Sequence, residues 1–143
     1  MPRPRLFIAV LLLALTALAG TAQADQTRLF VNLTSDAAPR AGMALQLSQN
    51  VLKAGHPVTV FLNVEGVRIA AKGLPQAKNE ITGKTLQAML QEVIAAGGQV
   101  IVCPMCMQQY GVKPADLVEG AVVGKPDITF PALLDDDTRV ISY

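Results

Sequence analysis

Apolar positions follow two rhythms along this chain, and the rhythms alternate. Leu29-Phe30-Val31-Asn32-Leu33 is a short apolar run closed by Thr34-Ser35-Asp36, the pattern of a buried strand leading into a helix. Ala44, Leu45, Leu47, Val51 and Leu52 recur at helical spacing within 40–54, and Gly55 stops that segment. Pro57-Val58-Thr59-Val60-Phe61-Leu62, rich in β-branched side chains, predicts a second strand. The signal weakens from Val64 to Ile81, where 67–71 suits a short helix and 73–80 a mobile loop. An amphipathic helix then opens at Thr82 or Lys84, with Leu86, Met89, Leu90, Val93 and Ile94 on one face, and ends at Gly97-Gly98. Gln99-Val100-Ile101-Val102 predicts a third strand running straight into Cys103. Beyond it, Met105 to Tyr110 suits a helical turn closed by Gly111, and Pro114 opens a short helix closed by Gly120. Ala121-Val122-Val123 predicts a brief strand, and Asp135-Asp136-Asp137 a solvated turn before a last strand over 139–142. Alternation of this kind predicts an α/β fold: a mainly parallel sheet of about five strands, covered by helices on both faces.

The first 24 residues stand outside that alternation. Arg3 and Arg5 precede an unbroken apolar run from Leu6 to Ala19, and Ala22-Gln23-Ala24 matches the small-residue cleavage pattern. The order is that of a secretory signal peptide over 1–24, and the run is short of the roughly 20 residues that span a bilayer. The chain is therefore expected to be periplasmic or secreted, with one domain over 25–143 and no membrane attachment after cleavage. Loss of Arg3 and Arg5 takes the 12 basic residues to 10, against 11 acidic ones. A near-neutral domain with few aromatics and no basic run makes no electrostatic case for nucleic acid.

Export changes the meaning of the two cysteines, Cys103 and Cys106. In an oxidising compartment a Cys-x-x-Cys pair is a disulfide, a redox couple, or a metal or sulfur site. In an open parallel sheet, reactive groups collect beyond the carboxyl ends of the strands, where the third predicted strand places Cys103. If a helical turn follows, Cys103 stands at its N-terminus, where backbone N–H groups favour a thiolate, the nucleophilic form. A structural staple is the plainest alternative, yet so small a ring is worth only about 2 kcal/mol by loop closure. Thiol–disulfide exchange is a second alternative, although two βα units precede the pair here. Zinc asks for four ligands, and the chain offers two cysteines and one histidine, His56, at the far end of the second strand. Copper(I) fits better, because Cys103, Met105, Cys106 and Met107 gather soft sulfur donors, although methionine is also a ready core filler. Thr34, Ser35, Asn63, Glu65 and Arg68 follow the first two strands on the same rim. Each is a candidate pocket residue and equally a capping or solvated one. The 73–80 loop is placed to shield the site.

Taken together, Val102-Cys103-Pro104-Met105-Cys106-Met107, Tyr110-Gly111-Val112 and Asp116-Leu117-Val118-Glu119-Gly120 resemble the DsrE/DsrF-like family, small α/β/α domains linked to sulfur relay. Gly55-His56 and Glu65-Gly66-Val67 fit the same pattern, so the resemblance runs from Arg28 to Tyr143. It implies that Cys103 accepts sulfur as a persulfide and that the chain assembles as a trimer or hexamer. Cys106 and the export signal depart from the cytoplasmic relay subunits, so the expected partners are a persulfide or thiol donor and acceptor outside the cytoplasm. No cofactor is assigned. Three classes stay open, in this order: a sulfur carrier or sulfurtransferase-like protein with Cys106 resolving; a thiol-redox or copper(I)-binding protein; and a non-catalytic oligomeric binding module with a structural disulfide.

Overall fold

The structure, a computed structural model, describes residues 27–143, so the predicted signal peptide lies outside the described residues. Strands β1 (Arg28–Leu33), β2 (Val58–Leu62), β3 (Gln99–Val102), β4 (Ala121–Val123) and β5 (Thr138–Ser142) form one sheet in the order β4-β3-β2-β1-β5. Every neighbouring pair is parallel. The expected α/β architecture is present, and the sheet is wholly rather than mainly parallel. No helix among the described residues is long and apolar enough to cross a membrane.

Pleating sends successive side chains to opposite faces. Val31, Leu33, Val60, Leu62, Val100 and Val102 share one face and are fully buried there. Helices α1 (Ala38–Lys53) and α2 (Leu86–Ala95) cover them with Ala41, Ala44 and Leu45 from one and Met89, Leu90 and Val93 from the other. At roughly 1.5–3 kcal/mol for each fully buried Val or Leu, this layer is the main apolar driving force. Buried Gln49 ties the two helices by donating to the Met89 carbonyl at 3.1 Å. The Thr85 hydroxyl accepts from the Ala88 N–H at 3.1 Å, and that cap starts α2 at Leu86, later than the apolar spacing suggests.

The opposite face carries Phe30, Phe61 and Ile101, with the two rings 5.9 Å apart. β4 and β5 lie at opposite edges, so the chain between them has to cross this face. Helix α4 (Pro126–Leu134) is that crossing. The hydropathy pattern assigns no element to 126–134, because Pro126 and Pro131 read as breakers and the apolar residues do not favour one side. Pro126 suits a first turn, and Pro131 sits inside the helix. None of its side chains is fully buried, and Phe130 and Leu134 are largely exposed.

Two shorter segments also depart from expectation. The chain after β2 is a 3-10 helix over Val64–Ala70, beginning three residues earlier than the short helix predicted there. Pro114 opens only a 3-10 turn, Pro114–Asp116, which does not continue to Gly120. Leu117 bridges Ala71, and the Val118 N–H donates to the Ala70 carbonyl at 2.9 Å, so this stretch is drawn out against the 3-10 helix.

Candidate functional site

Cys103 follows β3 directly, at the carboxyl end of the sheet. Its N–H donates to the Leu62 carbonyl at 2.9 Å, completing the last pair of the β2–β3 ladder. It is the N-cap of α3 (Pro104–Gln109), and the Met107 N–H donates back to its carbonyl at 2.9 Å. Pro104 suits the first helical position, where a backbone N–H would have no partner within the helix. Cys106 lies in the same first turn. Both cysteines are thiols, half-buried, with their side chains within hydrogen-bond reach of each other.

The surroundings treat Cys106 distinctively. Burial pushes its thiol up from the ordinary range, and the neighbouring Cys103 sulfur adds to that rise. The Val64 backbone N–H, bonded to the Cys106 sulfur, pulls the other way, and the Glu65 carboxylate adds a smaller upward push. The balance is upward, so Cys106 keeps its proton. Tyr110 caps the C-terminal end of α3, and burial together with a hydrogen bond to Glu65 holds its phenol protonated. Glu65 thus touches the chemistry of both groups. Arg68 and Asp36 form an ion pair at 3.2 Å on the rim, exposed enough to contribute little stability.

Two backbone features fix this geometry. Val64 has φ 47°, a left-handed conformation that a β-branched residue rarely adopts and that costs roughly 1–3 kcal/mol. The same residue offers its N–H to Cys106. Next to it, Gly66 packs so closely on the end of β1 that a Cβ there would stand 2.4 Å from the Leu33 carbonyl oxygen. The Gly66 N–H donates to the Asn63 carbonyl at 2.9 Å.

The predicted residues separate into three groups. Cys103, Cys106, Glu65 and Asn63 are brought together at the end of β2 and β3. Thr34 and Ser35 share the rim but spend their hydroxyls on backbone: Thr34 Oγ1 donates to the Tyr143 carbonyl at 2.6 Å, and Ser35 Oγ accepts from the Ala37 N–H at 3.1 Å. The soft sulfur set is divided, since Met107 is 3% exposed in the core and Met105 78% exposed. Among the described residues no group of three or more His, Cys, Asp or Glu is placed to hold a metal ion. His56 stands at the amino end of β2, its Nδ1 3.1 Å from the Thr27 carbonyl oxygen. Sequence reasoning missed Val64, Tyr110 and Asp36. Tyr110 was within reach, because it lies four residues after Cys106 on the same helix face. A cleft of about 570 Å3 opens at the opposite end of the sheet, between α4 and the starts of β1, β2 and β3. Its lining includes Arg28, Thr59, Gln99, Asp127 and Asp135 but no thiol, so the candidate cysteine site is the rim.

A parallel five-stranded sheet with two free thiols on its carboxyl rim defines a small α/β protein whose candidate site is the cysteine pair. Residues 26–143 match the DsrE/DsrF-like family, and the chain belongs to it. The protein MJ0989 of Methanocaldococcus jannaschii is 35% identical over 82 residues, covering 57% of this chain and 68% of that protein. Among solved structures, the ychN protein from E. coli superposes with a TM-score of 0.68 at 19% identity, covering 82% of this chain and 99% of that one. MTH1491 from Methanobacterium thermoautotrophicum gives 0.63 at 17% identity, covering 82% and 100%. Likeness at these identities speaks for the fold alone.

Proposed function

We propose that the protein carries sulfane sulfur as a persulfide on Cys103, with Cys106 as the resolving thiol. The observation that carries this reading is the asymmetric pair: Cys103 stands at the N-cap position of α3 at the end of β3, and Cys106, held protonated, lies against it. Membership of a family associated with sulfur relay supports it. In the loading step the Cys103 thiolate attacks the outer sulfur of a donor R–S–SH. A Cys103 S–S bond forms, the donor's S–S bond breaks, and R–S⁻ departs. In the relay branch an acceptor thiolate attacks the outer sulfur and Cys103 leaves as thiolate. In the resolving branch Cys106 gives its proton to solvent and attacks the Cys103 sulfur, forming the Cys103–Cys106 disulfide and expelling HS⁻. Sulfane sulfur is then reduced to sulfide as the two cysteines are oxidised, and an external dithiol resets the pair. Its raised proton affinity slows Cys106, which favours relay over resolution.

The signal-like order of the N-terminal sequence supports a periplasmic or secreted site for this work, and family likeness favours a homo-oligomer. Thiol–disulfide exchange is the second reading, favoured by the contact between the two thiols. Incubation of the reduced protein with inorganic polysulfide, followed by intact-mass spectrometry, separates the two. Carriage gives an added sulfur that Cys103→Ser abolishes. A reactive pair that yields only disulfide, with no adduct even in Cys106→Ser, defeats carriage in favour of exchange.

A further inference from the structure

The face of the sheet opposite α1 and α2 ends in a row of polar side chains that the thiol chemistry above does not use. Asn63 Nδ2 donates to Asn32 Oδ1 at 2.6 Å, and Asn32 Nδ2 donates to Ser142 Oγ at 3.2 Å. The three residues come from the ends of β2, β1 and β5, so the row crosses three adjacent strands. Its last atom on the β2 side, Asn63 Oδ1, is buried and has no hydrogen-bond partner. A buried amide oxygen left in that state costs about 1–3 kcal/mol, so its retention calls for a ligand or a reacting group beside it.

The register shows what lies beside it. Leu62 pairs with Val102, the Cys103 N–H on the Leu62 carbonyl being one bond of that pair, and Asn63 and Cys103 are the next residues on the two strands. Asn63 and Cys103 are therefore cross-strand neighbours, and both keep extended backbone, φ −140° and ψ 178° for Asn63 and φ −64° and ψ 116° for Cys103. Strand alternation continues through both, and sends the two side chains to the same face at about 5 Å between Cβ atoms. The Asn63 NH₂ is turned toward Asn32 on β1, which leaves its oxygen free for a group on the β3 side.

We propose that Asn63 is the positioning residue for the sulfur on Cys103 and that the Asn63–Asn32–Ser142 row lets it serve both protonation states. In the arrangement seen Oδ1 is unpartnered, and it could accept from the S–H of a thiol brought against it. If both amides turn over together, Asn32 donates to Asn63 and the Ser142 hydroxyl donates to Asn32, so no bond in the row is lost. Asn63 Nδ2 then faces Cys103 and donates to a thiolate, or to the perthiolate Cys103–S–S⁻ once sulfur is loaded. A hydrogen bond to the anionic form favours that form and protects the outer sulfur from protonation and loss. This inference rests on the sulfur-carriage reading for the persulfide and on the register alone for the thiolate.

The experiment uses the Cys106→Ser background, so that no disulfide forms, and two readouts: the pH midpoint of Cys103 alkylation by iodoacetamide, and the lifetime of the sulfur added by inorganic polysulfide. Asn63→Leu is expected to raise the midpoint by about one pH unit and shorten the lifetime about tenfold, the effect of one charge-assisted hydrogen bond. Asn63→Asp, which keeps the shape and adds a negative charge, raises the midpoint at least as far. Ser142→Ala, at the sheet edge, raises the midpoint by about 0.3–0.5 pH unit and shortens the lifetime about twofold to threefold, because it weakens the row without touching Asn63. Folded variants whose midpoints and lifetimes match the parent reduce the row to a structural tie and overturn the inference. If Asn63→Leu fails to fold, Asn63→Asp and Ser142→Ala decide. If the parent takes up no sulfur at all, carriage falls, and the alkylation midpoints still test the role of Asn63.

Discussion

The two ends of the sheet differ in what their side chains and backbone are doing. At the amino end, Arg28 and Asp135 form an exposed ion pair at 3.3 Å and line a cleft of about 570 Å3. At the carboxyl end there is a strained Val64, a glycine that leaves no room for a Cβ, a buried amide oxygen without a partner and two thiols in contact. The roomier end is energetically ordinary. The tighter one holds several features that each lower stability, and sites of chemistry commonly store cost in this way. Volume alone therefore points to the end without the thiols.

Substitutions at each end put the contrast at risk. The largest effect belongs to Cys103→Ser, which is expected to abolish sulfur uptake from polysulfide by mass spectrometry. Asp135→Asn, which breaks the ion pair at the other end, should leave uptake unchanged and alter stability by no more than about 1 kcal/mol. Equal loss of uptake in both would erase the distinction. Gly66→Ala comes next, because its methyl meets the backbone of Leu33. Urea unfolding should show a loss of about 1–3 kcal/mol, together with slower alkylation of the displaced pair. Val64→Gly is expected to act in the opposite direction on stability, gaining about 1 kcal/mol as the left-handed strain is relieved. A loss instead would mean that Val64 packing outweighs its backbone cost.

The smallest effect is a pH dependence. Cys106 binds its proton more tightly folded than unfolded, so its contribution to stability is complete below the unfolded thiol value and is lost as pH rises through the folded one. Under reducing conditions, urea unfolding should weaken above the ordinary thiol range, and Cys106→Ser should flatten that decline. A decline of equal slope in the variant would assign it elsewhere.

Much of the scaffold was legible in the sequence because it is written in apolar spacing. β1, β2 and β3 are short apolar runs, α1 and α2 bury one regular face each, and all are terminated by local signals. Cys103 was legible for the same reason, since a buried strand that runs into Cys-Pro ends where the helix begins. α4 was not, because it buries no complete side chain and contains Pro131, so its existence follows from the strand order and not from its own pattern. The row of Asn63, Asn32 and Ser142 was equally invisible. It depends on the register of three strands that are far apart in the chain, and no local pattern encodes that register. The left-handed backbone at Val64 leaves no mark either, since valine is among the last residues expected there.

The split between Met105 and Met107 has a consequence for how this surface ages. A thioether in solvent is oxidised to the sulfoxide far more readily than one in a packed core. Met105, in the first turn of α3 with Cys106, is open to oxidants, while Met107 is sealed against the sheet. Oxidative damage therefore falls first on the ground around the thiols, turning it from apolar to polar, while the packing that holds Cys103 at the end of β3 stays intact.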